Sequence, residues 1–278
     1  MPTLEHDGVP VHYVETGQGE PVVLVHGTAG SAGQWTNTAR VLRHHARIIM
    51  PDLYGAGATG AWHGRRAVGL ADEAALVGAV LPADSPVHVV GHSYGGAVAM
   101  RFAMDFPERV ATLTLIEPVA FHLLRQGTRG DRSALEEVKC LAGEIANLTA
   151  RGEDWKAMER FVDFWNGAGA WTGLDDPQRQ HLATKVRSVA QNFWAVLSEE
   201  SRLTDLARLP MPMIVVTGGK APLVTRRIAR LMASVSRNAM VKTVPDGGHM
   251  LPLTHAERIA GMAAAHFFAH PAARPMAA

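Results

Sequence analysis

The chain of 278 residues has a single cysteine and no excess of either charge sign. One cysteine excludes an intrachain disulfide, and we interpret Cys140 as a buried or neutral thiol rather than a nucleophile. Lys and Arg number 27 and Asp and Glu number 26, so the net charge predicts no nucleic-acid partner. No apolar run approaches the roughly 20 residues that a membrane helix needs, so we expect no membrane partner.

Two further absences concern the first residues and the metal ligands. A secretory signal has a basic segment followed by an apolar core, and residues 1–7 do not show this pattern. The 14 histidines include no compact ligand spacing such as HExxH, so we expect neither a metal nor another cofactor. These features favour a cytoplasmic protein, and a homodimer is left open.

Short apolar runs alternate with helix-like segments over most of the chain. Strands are predicted at 22–25, 47–50, 87–90, 110–116, 213–217 and 240–244. Helices are predicted at 34–43, 70–81, 94–106, 223–235 and 255–268. Continuous apolar strands between helices indicate an α/β fold whose mostly parallel sheet has helices on both faces.

This alternation stops at residues 121–206, where the pattern predicts helices (133–150, 154–165 and 177–199, the last with a break) and no strand. The simplest interpretation is an inserted helical lid, or cap subdomain, at 121–206, with residues 1–120 and 207–278 forming the core domain. The alternative is that these helices extend the core.

Aromatic residues are concentrated in the predicted cap. Phe161, Trp165 and Trp171 are candidate substrate-binding residues, and they would favour an apolar or aromatic small-molecule substrate. Aromatic residues at helical spacing are also typical of a hydrophobic core, so this alternative stays open.

The segment Gly91-His92-Ser93-Tyr94-Gly95 follows a predicted strand and opens a predicted helix. A G-x-S-x-G sequence in that context indicates a nucleophile elbow, a sharp turn that lifts the serine out of the end of the sheet. The helix N-terminus beneath the serine favours developing negative charge. We therefore interpret Ser93 as a nucleophile, the alternative being an ordinary glycine-rich turn.

A serine hydroxyl needs a base at neutral pH, and His249 is the candidate. It follows the last predicted strand in a glycine-containing loop that can bring an imidazole over the end of the sheet. We expect His26 to support the loop after the first predicted strand, and His92 to point away from the nucleophile.

Attack on a carbonyl also requires donors for the oxyanion. The backbone amide of Tyr94, directly after the nucleophile, is one candidate. The second is the amide of Thr28, in the glycine-rich loop after residues 22–25. In the alternative interpretation this loop is only a tight turn.

Together these motifs resemble the α/β-hydrolase superfamily. His26-Gly27, the segment Pro51-Asp52-Leu53-Tyr54-Gly55, the serine elbow and Gly248-His249 occur in that family's order. The resemblance covers nearly the whole chain apart from the cap. It implies a mostly parallel eight-stranded sheet and a nucleophile–acid–histidine triad, but no particular substrate, because the fold hosts many chemistries.

One departure from the family pattern concerns the acid of the triad. The resemblance places this acid after the strand at 213–217, where the sequence has Ala221. A histidine without an orienting carboxylate is held poorly in the required tautomer. Either the protein is a non-catalytic ligand-binding member of the fold, or its acid lies elsewhere.

Glu117 is the candidate for a displaced acid. Some members of the superfamily take their acid from the end of the strand that is here 110–116, and Glu117 follows it directly. A carboxylate after a buried strand needs a partner, which the imidazole of His249 would provide. We predict the triad Ser93–Glu117–His249. Asp246 is a rival acid, and a salt-bridging or helix-capping role is the alternative for Glu117.

A serine at the elbow excludes the aspartate-nucleophile chemistry of dehalogenases and epoxide hydrolases and leaves attack on a carbonyl. We predict a hydrolase that cleaves a carboxylic ester or lactone through an acyl-enzyme intermediate. Hydrolysis of a carbon–carbon bond in a diketone-type substrate is an alternative, as is a perhydrolase activity on the same residues.

Overall fold

The computed structural model describes residues 3–83 and 85–272 of the chain. Its eight-stranded sheet has the order β1-β2-β4-β3-β5-β6-β7-β8. The strands are β1 (Thr3–His6), β2 (Val9–Thr16), β3 (Pro21–Val25), β4 (Arg47–Pro51), β5 (Val87–His92), β6 (Val110–Ile116), β7 (Met213–Gly218) and β8 (Ala239–Val244). The pairs β1–β2 and β2–β4 are antiparallel, whereas the pairs from β4 to β8 are parallel.

Helices connect the strands. They are α1 (Thr36–Leu42), α2 (Leu70–Ala79), α3 (Tyr94–Asp105), α4 (Arg129–Ala150), α5 (Asp154–Asn166), α6 (Asp176–Ala183), α7 (Val186–Ser198), α8 (Leu203–Leu206), α9 (Leu223–Val235), α10 (Leu251–Thr254) and α11 (Ala256–Ala269). Within residues 3–83 and 85–272, no helix is long and apolar enough to cross a bilayer.

The sheet is buried on both faces, and its central strand β3 is apolar at every position. In β3, Val23 and Val25 belong to the core that includes α2 and α3. Val22 and Leu24 alternate with them and belong to the core that includes α1 and α11. Side chains of a strand point to opposite faces in turn, so a continuous apolar run requires helices on both sides. The predicted fold class is confirmed.

The first two strands, β1 and β2, were not predicted from the pattern of apolar runs. β1 and β2 form an antiparallel hairpin at the edge of the sheet, and only Val9 and Val11 are fully buried there. The turn between them consists of Asp7 and Gly8, both with positive φ (50° and 75°). Asp-Gly is the sequence that such a two-residue hairpin favours, so the signal was present in the turn.

Five helices, α4 to α8, lie between β6 and β7, and this described stretch contains no strand. We call residues 121–206 the helical insert. The predicted break within 177–199 falls between α6 and α7. Of the two alternatives for Cys140, a buried or a neutral thiol, the buried one is wrong: Cys140 is exposed on α4, which buries Val138 and Leu141 on another face.

Candidate active site

Ser93 is the corner between β5 and α3. Its backbone is in the left-handed region, with φ 54° and ψ −116°, and its N–H donates to Ile116 O at 2.9 Å. The sharp turn requires glycine on either side. A Cβ on Gly91 would lie 2.2 Å from Gly95 O, and one on Gly95 would lie 2.3 Å from Val25 O. The elbow geometry predicted for Ser93 is therefore present.

The structure brings Ser93, His249 and Glu117 together at the carboxyl end of the sheet. His249 lies in the loop after β8, and its Nε2 is 3.0 Å from Ser93 Oγ. Its Nδ1 is 3.1 Å from Glu117 Oε2. All three side chains are buried. A proton can therefore pass from Ser93 to His249 while Glu117 fixes the opposite edge of the ring.

Glu117 is held by the neighbouring strand as well as by the histidine. Its Oε1 accepts the N–H of Gly218 at 2.7 Å. Burial raises the pKa of Glu117, and hydrogen bonds from Thr225 and Gly218 act in the opposite direction. Among the described residues, His249 is the only ion-pair partner of Glu117, and no Lys or Arg lies within salt-bridge range of its carboxylate.

The other two positions considered for the acid lie elsewhere. Asp246 is largely exposed, and its carboxylate faces His255 Nε2 at 3.2 Å and Arg258 Nη1 at 3.5 Å. Ala221 is buried after β7 and offers no polar group. The carboxylate that faces the imidazole of His249 is that of Glu117.

Burial sets the protonation state of the imidazole. It lowers the pKa of His249 to about 3, because a charged ring would lose its water in this site. The ring is therefore neutral at neutral pH. With Nδ1–H donated to Glu117, Nε2 carries the lone pair that faces the Ser93 hydroxyl, which is the state a general base requires.

His92 has a place in the site that the sequence did not reveal. Its Nε2 is 2.9 Å from the carbonyl oxygen of His249, and its ring lines the same cavity as Ser93. That nitrogen must carry the hydrogen, since a carbonyl only accepts. Nδ1 then accepts from Gln34 Nε2 at 3.2 Å, and Gln34 Oε1 accepts the N–H of Gly27 at 3.1 Å. This chain of hydrogen bonds joins the loop after β3 to the loop after β8.

The loop after β3 brings Thr28 beside the serine. His26 supports this loop as predicted, because its Nε2 accepts the N–H of Leu53 at 3.1 Å. Thr28 and Ser93 line the same cavity. Tyr94 begins α3, so its backbone N–H is one of the helix N–H groups without an intrahelical acceptor. The oxyanion roles of Thr28 and Tyr94 remain predictions.

A cavity of about 670 Å³ opens over Ser93 and His249. The helical insert contributes apolar side chains to it, among them Phe161 and Trp165. Trp171 does not line this cavity, because its ring packs edge-on against Trp155 with centroids 5.8 Å apart. In the part of the chain that the structure describes, no group of three or more His, Cys, Asp or Glu is placed to hold a metal.

The sequence of this chain matches those of known proteins. Residues 22–262 match the model of the alpha/beta hydrolase family. A 2-hydroxy-6-oxo-2,4-heptadienoate hydrolase of Pseudomonas putida is 38% identical over 117 residues, which are 40% of this chain and 42% of the relative. A 2-hydroxy-6-oxononadienedioate/2-hydroxy-6-oxononatrienedioate hydrolase of Paraburkholderia xenovorans is 28% identical over 96% of this chain and 93% of its own.

The solved structures give the same result for the fold. The epoxide hydrolase CorEH, solved without ligand, superimposes with a TM-score of 0.76 and 22% identity over 96% of this chain and 98% of that chain. Several sequence relatives are matched over only about two-fifths of their own length (42%, 39% and 40%). The family match nevertheless spans most of the chain and coincides with the predicted sheet. The protein belongs to the alpha/beta hydrolase family.

Proposed function

We propose that the protein is a serine hydrolase that cleaves a carboxylic ester or lactone through a Ser93–His249–Glu117 triad. The observation that carries this proposal is the unbroken hydrogen-bonded series from Ser93 Oγ to His249 Nε2 (3.0 Å) and from His249 Nδ1 to Glu117 Oε2 (3.1 Å). A neutral buried histidine between a hydroxyl and a carboxylate is the arrangement that activates a serine.

The proposed reaction has two halves. Ser93 Oγ attacks the carbonyl carbon while His249 Nε2 takes its proton, and the backbone N–H groups of Thr28 and Tyr94 stabilise the oxyanion. The C–O bond then breaks, and His249 returns the proton to the leaving alcohol. Water, activated by the same histidine, attacks the acyl-enzyme and releases the carboxylic acid and Ser93.

We propose that residues 121–206 act as a cap on a core of residues 1–120 and 207–278. Apolar side chains surround Ser93 on the side of the insert, including Phe121, Phe193 and Val196. With Phe161 and Trp165 they form a water-poor wall, which favours an apolar or aromatic acyl group.

A second candidate function is hydrolysis of a carbon–carbon bond next to a ketone. It is favoured by the relatives that act on 2-hydroxy-6-oxo dienoates. Among the described residues lining the large cavity, Lys185 is the one Lys or Arg, and no Asp or Glu accompanies it. An ammonium group in that position suits the carboxylate of such a substrate.

Lys185→Met tests this second candidate. It should raise KM for a dienoate by 10-fold or more, about 1.4 kcal/mol, while leaving KM for a neutral aryl ester unchanged. The kinetics of both substrates on the variant and the parent decide it. Equal effects on the two substrates would exclude carboxylate recognition by Lys185.

The primary proposal is tested with a fluorophosphonate probe and a hydrolysis screen. The screen covers aryl esters of graded acyl length, lactones and vinylogous diketones, with Ser93→Ala as the control. We expect covalent labelling of Ser93 and turnover that the control abolishes. A protein that is not labelled and turns over none of these substrates would be a non-catalytic ligand-binding member of the family.

A further inference from the structure

The helical insert supplies one ring that lies directly on the imidazole of His249. Trp165, on α5, stacks on it with ring centroids 4.1 Å apart and an interplanar angle of 23°. Trp165 is 5% exposed and His249 is 3% exposed. One face of the imidazole is therefore covered by the indole, and the two edge nitrogens are taken by Ser93 and Glu117.

Two cavities meet at this stacked pair. The cavity of about 670 Å³ contains Ser93. A second cavity of about 520 Å³ is bordered by α5 and the loop after β7, and Ser93 is not among its lining residues. Both are lined by Trp165, Asn166, His249 and Met250. The stacked rings thus form part of the wall between the substrate cavity and the second cavity.

The orientation of the indole is fixed by the aromatic residues around it. Phe164 packs edge-on against Trp165 with centroids 4.9 Å apart, and Phe161 does so at 6.4 Å. Phe121 lies parallel to it at 6.3 Å. A ring held on three sides in this way can hold a neighbouring ring in turn, because side chains in a close-packed core keep one rotamer.

We infer that Trp165 is a positioning residue for His249: it fixes the plane of the imidazole and covers one face of the ring against water. The inference rests on the proposed function, since it assigns Trp165 to the same base. In this proposal the helical insert orients the catalytic base, in addition to binding the substrate.

The expected sign of a pH effect follows from burial. Loss of water around the ring disfavours the imidazolium and lowers the pKa of His249. Removing the indole would expose the stacked face of the imidazole to water, so the pKa of His249 would rise towards the ordinary value for histidine. The ionisable groups that face His249 or line the two cavities are Glu117, His92, His181, Lys185, Glu137 and Lys220. A substitution at Trp165 removes none of these groups, so a shift in the pH profile would report on the surroundings of His249.

The experiment compares Trp165→Leu, Trp165→Phe and Trp194→Leu. Trp194 is the matched control because it lies on α7 of the same insert and is exposed. For each variant, kcat and KM for an aryl ester and the rate of fluorophosphonate labelling of Ser93 are measured from pH 2.5 to pH 8, a range that includes the pKa of about 3 expected for His249 in the parent. The labelling rate reports on the base without depending on the identity of the natural substrate.

Trp165→Leu should lower kcat at least 10-fold and move the acid limb of the labelling profile up by at least half a pH unit. Trp165→Phe keeps a stacking ring and should recover part of both, while Trp194→Leu should match the parent. A rise in KM alone, with the acid limb unmoved in the Leu and Phe variants, would overturn the inference and make Trp165 a substrate contact. If the parent and Ser93→Ala label equally, the proposed function itself fails.

Discussion

Ser93 and Glu117 both have a positive φ angle, which few residues other than glycine adopt. Their φ angles are 54° and 49°, and they directly follow the neighbouring strands β5 and β6. Each corner is fixed by the next strand, because Ser93 N–H donates to Ile116 O and Glu117 N–H donates to Val216 O. Such residues cost of the order of 1–3 kcal/mol and persist where the surroundings hold them. Here both corners turn their side chains to His249.

Glu117→Gln should lower kcat by roughly 10³- to 10⁴-fold, the scale seen when the orienting acid of a triad becomes an amide. Its Oε1 can still accept from Gly218, so the fold should be retained, but an amide N–H opposite Nδ1 favours the wrong tautomer of His249. Steady-state kinetics and the melting temperature check this prediction. Near-normal turnover in a folded variant would remove Glu117 from the triad.

The sequence allowed a partial prediction of this site. Ser93 was predicted from the elbow motif and His249 from its position in the loop after the last strand. Glu117 was predicted because it follows a buried strand, at a position from which some members of the superfamily take their acid. The structure puts these three within hydrogen-bonding distance. Gln34 and His92 carry no such signal, because their hydrogen bonds join loops that are distant in the chain.

At the scale of elements, continuous apolar strands were easier to predict than edge strands. The buried strands β3 to β7 were found from their apolar runs, and the edge strand β8 was also predicted, whereas β1 and β2 form a short hairpin in which only Val9 and Val11 are buried. The helical insert was predicted as helices, but the faces of its aromatic residues were not. Trp165 lies on His249 while Trp194 faces solvent, and this difference depends on how α5 and α7 pack.

Gln34→Met should uncouple the loop after β3 from the loop after β8. It leaves the N–H of Gly27 and Nδ1 of His92 without their partner, and a buried unsatisfied group costs about 1–3 kcal/mol. We expect a lower melting temperature and a kcat that falls about 10-fold, the equivalent of about 1.4 kcal/mol.

Gln126→Met is the matched control for that change, because Gln126 is exposed, its Oε1 accepts the N–H of Leu203, and it is not among the residues that line the cavity over Ser93. Thermal unfolding and aryl-ester kinetics on both variants separate the two roles. If Gln34→Met loses stability but keeps the parental kcat, the link is structural and does not serve the site.

At the scale of the whole molecule, core, elbow and insert meet at a buried acid. Glu73, on α2, accepts the N–H of Tyr54 at 3.2 Å, and the hydroxyl of Tyr94 lies 3.3 Å from its Oε1. Asn192, on α7 of the insert, also hydrogen-bonds the Tyr94 side chain. This buried acid could not be predicted from the sequence, because an Asp72-Glu73 pair near the start of a helix is typical of exposed acids that favour the N-terminus.

Glu73 should therefore make the stability of the protein depend on pH. Burial raises its pKa to about 8, whereas in the unfolded chain it keeps the ordinary value near 4.5. Between these values only the folded state holds the proton, so its contribution to the free energy of unfolding is complete at acid pH. That contribution falls by about 1.4 kcal/mol for each pH unit until the folded-state pKa is passed.

Glu73→Gln cannot titrate, so urea unfolding from pH 5.5 to 7.5 should show the parent losing stability relative to this variant at about that slope. Glu257→Gln, at an exposed acid in the first turn of α11, should run parallel to the parent. Parallel curves for Glu73→Gln and the parent would mean that Glu73 is ionised in the folded protein.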